Sequence, residues 1–227
     1  MSRPNTSHAV RAQRHEPADS LDFFGTRPWA TRALIEHVMK PLRLYDRSHR
    51  IWEPACGQGH MVRALREYYD SVDASDIHNY APTEEGPVRG FFQADFLRGP
   101  GGLDWEYDWV ITNPPFNRLQ EFIDRALKSV YQGVAIFGPL TMIETLGRYE
   151  KIFLPYKNCF TFAPFVERCP TNKGAPKKKA TTASAYAWLL ICPREGLYPL
   201  VHIPPCRVEL EREGDYPPDT RDLGAAE

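Results

Sequence analysis

Trp109-Val110-Ile111-Thr112-Asn113-Pro114-Pro115-Phe116 is the stretch whose reading decides the fold. An apolar, β-branched run enters two consecutive prolines, which donate no backbone hydrogen bond and hold φ near −65°. The residue before a proline is itself held extended. The chain therefore leaves a strand through a stiff, open turn carrying an amide on one side and an aromatic ring on the other. That turn suits a planar ring with an exocyclic amine. The ring can stack on Phe116 while the amine donates to the Asn113 side-chain oxygen and the Pro114 carbonyl. Adenine has that chemistry. In isolation the run serves equally well as a strand-to-loop turn over a buried phenylalanine, so its surroundings must decide.

Working outward, strands and helices alternate. Arg50-Ile51-Trp52 reads as a strand, followed by the turn Glu53-Pro54-Ala55-Cys56-Gly57-Gln58-Gly59 and a helix over 60–69. Residues 71–75 form a second strand ending at Asp76, and 88–94 a third ending at Asp95. The fourth, 108–112, ends at the proline turn; a helix over 119–130 and a strand over 133–137 follow. Upstream, Pro28 fits the first turn of a helix over 29–40, with Thr26 as its cap. Downstream, 141–154 reads as a helix, and 158–165 and 183–192 as two further strands. This rhythm implies βαβ units and a mainly parallel sheet. In such sheets ligands lie outside the carboxyl ends of the strands. The glycine turn, Asp76, Asp95 and the proline turn all fall there.

The glycine turn lets a backbone approach a ligand closely. It has neither the GxGxxG spacing of a dinucleotide site nor the Lys-Ser/Thr of a phosphate loop. Glu53 at its head would repel pyrophosphate and attract an ammonium or sulfonium centre. The plainer alternative is a tight βα turn. Asp76 follows the turn at roughly the 20-residue spacing at which an acid holds ribose hydroxyls, although a strand-end aspartate also caps helices. Asp95 would accept from an adenine amine, with Phe96 packed on the ring. Together these groups describe a pocket for an adenosine without phosphate, and S-adenosylmethionine is the cofactor that fits.

In order, FFGTRPWAT, EPACGQG, DASD, QADF and NPPF resemble the class I methyltransferases that act on the exocyclic amine of adenine in DNA. The later run LGRYEKIF…KKKATTASAYAWLLI is similar to small orphan enzymes of phages and mobile elements. The resemblance covers roughly 23–192. It implies an α/β Rossmann-like class I fold: a seven-stranded, mostly parallel sheet with an antiparallel edge hairpin. It further implies that Thr26 and the backbone of Ala55, Cys56 and Gly57, with Gly59 closing the turn, hold the methionine end. Glu53 would lie by its ammonium, Asp76 and Ile77 at the ribose, and Asp95 and Phe96 at the adenine. Asn113, Pro114, Pro115 and Phe116 would form the catalytic clamp on a flipped base. Thr26 matches the pattern loosely, because Arg27 intervenes before Pro28. No full-length recognition domain follows the fold, so target reading would fall to loops or a partner.

Composition narrows the remaining classes. With 227 residues, 42% hydrophobic and 25% charged, the chain suits one globular domain. No apolar run approaches the ~18–20 residues of a membrane helix. The five cysteines, Cys56, Cys159, Cys169, Cys192 and Cys206, form no CxxC pair, so neither a disulfide framework nor a zinc site is expected, and a reducing cytoplasm fits. Cys56 reads as packing rather than as a nucleophile. None of the seven histidines, His49 and His60 included, shows ligand spacing. Net charge is −1, so nucleic-acid binding would need a local patch. Arg168, Lys173, Lys177, Lys178 and Lys179 supply one on a hairpin loop over 166–182, which otherwise is a solvated tip. Double-stranded DNA is the expected partner, with RNA or a purely nucleic-acid-binding role as alternatives. The expected layout is a disordered leader at 1–20, a methyltransferase domain at 21–205 and a tail at 206–227.

Overall fold

The computed structural model describes residues 24–80, 87–99, 107–171, 176 and 184–216. The expected leader lies outside them, as do Lys173, Lys177, Lys178 and Lys179 of the basic loop. Seven strands form one sheet in the order β3-β2-β1-β4-β5-β7-β6. They are β1 (Arg50–Glu53), β2 (Ser71–Asp76), β3 (Phe91–Gln93), β4 (Tyr107–Thr112), β5 (Val130–Pro139), β6 (Phe160–Pro164) and β7 (Tyr186–Ile191). The first five run parallel, while β7 is antiparallel to both β5 and β6. The sheet thus has the expected mostly parallel form with an antiparallel pair at one edge.

Strand alternation sends successive side chains to opposite faces, and here both faces are covered. Ile51, Ala74, Trp109, Ile111 and Trp188 pack with Trp29, Leu34, Val62 and Leu65 of helices α1 (Pro28–Leu34) and α2 (His60–Leu65). Trp52, Val110, Val134, Ile136 and Leu189 face Leu119, Phe122 and Ile123 of α3 (Leu119–Ala126). The order of strands reverses between β1 and β4, each of which ends at a residue of interest. Neighbouring connections turn opposite ways there, opening the crevice in which ligands of such sheets bind.

Several elements depart from the pattern read in the sequence. The helix expected over 29–40 is α-helical only to Leu34 and continues as a π-helical segment, Ile35–Met39. Arg27, not Thr26, occupies its N-cap, and no side chain caps it. The strand expected over 88–94 shortens to β3, because Val88 to Gly90 form a turn with Gly90 at φ 73°. Helix α3 stops at Ala126, where Ser129 caps the exit with its Oγ donating to the Arg125 carbonyl at 3.1 Å. Val130 instead begins β5, paired with Tyr107 of β4. The helix expected over 141–154 breaks at Thr145, whose φ of 123° is incompatible with a helix. The pieces are a 3-10 turn at Leu140–Ile143, the short α4 (Leu146–Arg148) and a π-helical turn at Tyr149–Phe153.

The largest correction concerns the tail expected from residue 206. Residues 206–216 are docked on the domain, and 217–227 lie outside the described residues. Helix α5 (Arg207–Leu210) is followed by Asp215, whose carboxylate receives two 2.8 Å hydrogen bonds from the buried Arg32 of α1. Arg32 also donates to Glu67 and to the Leu210 carbonyl. Proline and charge content hide this, since Asp215 is paired inside with Arg32 rather than solvated.

Candidate active site

At the carboxyl ends of the strands a cavity of about 390 Å³ opens. Thr26, Glu53, Ala55, Cys56, Asp76, Ile77, Asp95, Phe96, Asn113 and Pro115 line it, so the expected cofactor and catalytic segments converge there. Gly57, Gly59, Pro114 and Phe116 do not reach its wall. Phe24, His60, Tyr80 and Arg98 also line it and had no role in the sequence reading. They come from loops and a helix start with no spacing rule to reveal them.

Glu53 ends β1 and is 1% exposed. Its Oε1 accepts from the Thr112 hydroxyl at 2.5 Å and the Ala55 amide at 3.1 Å, linking the ends of β1 and β4 across the crevice. Its Oε2 is buried with no partner among the described residues. Burial pushes the carboxyl up to about 8; the two hydrogen bonds oppose this and the Asp76 charge adds to it. An orphaned, buried carboxylate oxygen in a ligand-sized cavity would be satisfied by a cation. The ammonium group of S-adenosylmethionine is of that kind.

Asp76 ends β2 with both oxygens engaged. Oδ2 accepts from the Gly57 amide at 2.9 Å and Oδ1 from the His78 amide at 3.0 Å. Burial nonetheless holds its carboxyl above the ordinary value. Its bond to Gly57 fixes the glycine turn, in which Gly57 and Gly59 have φ of 51° and 75°. Cys56 is buried and its thiol is driven upwards by burial, which suits packing and not nucleophilic chemistry. Asp95 binds the Leu97 amide at 3.0 Å and lies 3.6 Å from Arg98. Phe96 is wedged edge-on against Trp52, with Phe122 on another side.

Asn113, directly after β4, is held by the segment preceding α1. Its Nδ2 donates to the Phe24 carbonyl at 2.8 Å and to Thr26 Oγ1 at 3.0 Å. Both amide hydrogens are thereby used, so the side-chain oxygen is the atom left to accept from a ligand. Thr26, expected as a helix cap, instead anchors this amide. The Pro115 carbonyl is taken by the Arg118 amide at 2.9 Å. Phe116 stands beside Phe24, with centroids 6.2 Å apart and planes 22° apart, and 6.5 Å from Tyr186. Of the basic patch only Arg168 is described. Among the described residues no cluster of three metal-ligating side chains occurs, and no helix is long and apolar enough to cross a membrane.

No protein-family model matches the sequence, and no curated protein matches it with significance. Solved structures do share its fold. A protein of Listeria monocytogenes described as a class I S-adenosylmethionine-dependent methyltransferase superposes with a TM-score of 0.55. The two are 16% identical over 86% of this chain and 69% of that one. The 23S rRNA methyltransferase ErmE gives a TM-score of 0.50 at 15% identity, covering 78% and 72%. The modification subunit assigned to a type I restriction enzyme of Vibrio vulnificus gives 0.52 at 15% identity. That match spans 91% of this chain but only 52% of that subunit. The fold is that of the class I methyltransferases.

Proposed function

We propose that this protein transfers a methyl group from S-adenosylmethionine to the exocyclic amine of adenine in DNA. One observation carries the reading: a single cavity joins the orphaned oxygen of Glu53 to an Asn113 amide whose hydrogens are already committed. The first suits the cofactor's ammonium, the second an incoming amine. Asp76 and Ile77 would flank the ribose, and Asp95 and Phe96 the adenine ring of the cofactor. The cofactor supplies a methyl on a sulfonium sulfur; transfer leaves a neutral thioether and releases one proton from the acceptor nitrogen.

An adenine amine is a weak nucleophile because its lone pair is delocalised into the ring. Asn113 Oδ1, on the cavity wall, would accept one of its hydrogens, and the Pro114 carbonyl, set back from that wall, would take the other once the base is seated. Together they would favour the pyramidal nitrogen of the transition state, which is differential stabilisation. Fixing the amide in advance through Phe24 and Thr26 means no reorganisation is needed as charge develops. Extruding the base from the duplex costs a few kcal/mol, which stacking near Phe116 would offset in part. Asn113→Ala should lower kcat by roughly 100- to 1,000-fold while cofactor affinity stays within about twofold. Radiolabelled transfer and calorimetry read the two quantities separately.

Substrate class follows from the same assay. DNA, RNA and protein are offered with labelled cofactor, and the labelled polymer is digested to nucleosides. N6-methyladenine from DNA is the expected product; label in RNA alone would move the proposal to that polymer, and transfer to none would retract it. The basic loop is proposed to contact phosphates. Replacing Lys177, Lys178 and Lys179 with alanine should flatten the slope of log K against log salt by about 2–3. An unchanged slope would remove the loop from the interface.

A further inference from the structure

The glycine turn that would cradle the methionine end of the cofactor has few free donors. The Ala55 amide is spent on Glu53, Cys56 on the Ser75 carbonyl, Gly57 on Asp76 and Gly59 on the Cys56 carbonyl. Of the two arginines that line this cavity, Arg98 pairs with Asp95 and Arg118 with Glu121. An amino-acid zwitterion placed with its ammonium on Glu53 still needs a donor for its carboxylate.

His60 meets that need. It opens α2 directly after Gly59, is 6% exposed and lines the same cavity as Glu53. Arg63, one turn on, places its Nη2 3.2 Å from the His60 Nδ1. A guanidinium has donors only, so Nδ1 must supply the lone pair and the proton must reside on Nε2. Among the described residues the Nε2 side meets only the Gln58 side-chain oxygen at 3.4 Å, a long contact. Burial, and after it the Arg63 charge, pulls the ring down to about 4, so it stays a neutral donor at working pH. Arg63 is itself tied to the Gln58 carbonyl at 3.0 Å, which holds it behind the ring.

We propose that His60 donates its Nε2 hydrogen to the carboxylate of the cofactor's amino-acid end, opposite Glu53 at the ammonium, with Arg63 as the positioning residue that fixes the tautomer. The inference rests on S-adenosylmethionine being the cofactor, and the test separates the two. Calorimetry compares S-adenosylhomocysteine with its decarboxylated analogue, 5′-(3-aminopropylthio)-5′-deoxyadenosine, which keeps the amine and lacks the carboxylate. Wild type should bind the first about 10- to 100-fold more tightly, the worth of one hydrogen bond to a charged group. His60→Phe should erase that preference and leave the analogue's affinity within about twofold, which also shows that the variant is folded. His60→Gln, which restores an amide donor, should recover part of it.

An equal loss for both ligands would reduce His60 to packing and overturn the proposal. So would a wild type indifferent to the carboxylate. If wild type bound neither ligand, the cofactor assignment and the proposal would fall together. Nitrogen NMR on the wild type needs no variant: S-adenosylhomocysteine should shift the His60 Nε2 resonance and the analogue should not. Identical shifts with both ligands would also overturn it.

Discussion

At the scale of single residues, the acids at strand ends were legible because an acid closing an apolar run stands where a parallel sheet meets its ligands. Their protonation was not. Glu53 rests near 8 against an ordinary 4.5, because burial outweighs two hydrogen bonds. If it must ionise to meet an ammonium, binding releases a proton. Affinity for S-adenosylhomocysteine should then rise up to about tenfold per pH unit towards pH 8 and level off above it. The slope should vanish in Glu53→Gln, and binding enthalpy should depend on the buffer's ionisation heat. The same shift sets a stability trend. The native state keeps a proton that the unfolded chain loses between about 4.5 and 8. The contribution of Glu53 to stability therefore falls as pH rises through that window. A single histidine has no spacing to mark it, and the role proposed for His60 rests on the Arg63 contact at its Nδ1.

At the scale of elements, alternation of apolar residues and the punctuation by proline and glycine place all seven strands, with β3 drawn too long and β5 too short. The failures share a cause. Helices 29–40 and 141–154 had the right apolar spacing, but spacing does not distinguish an α turn from a π turn or detect a φ of 123° at Thr145. Val130 was given to a helix because pairing with Tyr107 of a distant strand cannot be read locally. The glycine turn lies between β1 and α2, where its spacing places it, and its geometry is demanding. A Cβ on Gly59 would sit 2.2 Å from Val88 Cγ1, at a backbone φ of 75° that side chains disfavour. Gly59→Ala should cost about 2 kcal/mol in denaturant unfolding. Adding Val88→Ala should return the share due to the clash and leave the share due to backbone strain. Full additivity of the two substitutions would mean that Val88 is not what the new methyl meets.

For the whole molecule, the first described helix and the last described segment are bolted together. Arg32 and Asp215 are both buried, and Glu67, which also binds Arg212, completes the cluster. Leaving one member of such a cluster uncompensated is costly, so Asp215→Ala should lower stability by about 3 kcal/mol, moderated by the remaining bond to Glu67. Equilibrium unfolding with and without the substitution measures it. Arg27, next to Thr26, adds a second tie through the Pro170 carbonyl at 2.6 Å and the Tyr216 hydroxyl at 2.9 Å. These ties join residues up to 189 positions apart, and contacts of that separation form late because loop closure precedes their reward. The segment that orients Asn113 adjoins Arg27, so we expect it to order together with these long-range ties. A chain with its sheet paired but these ties unmade would lack the fixed orientation of the Asn113 amide on the cavity wall. On this reading the amide is set for the proposed chemistry only once the first and last described segments have met.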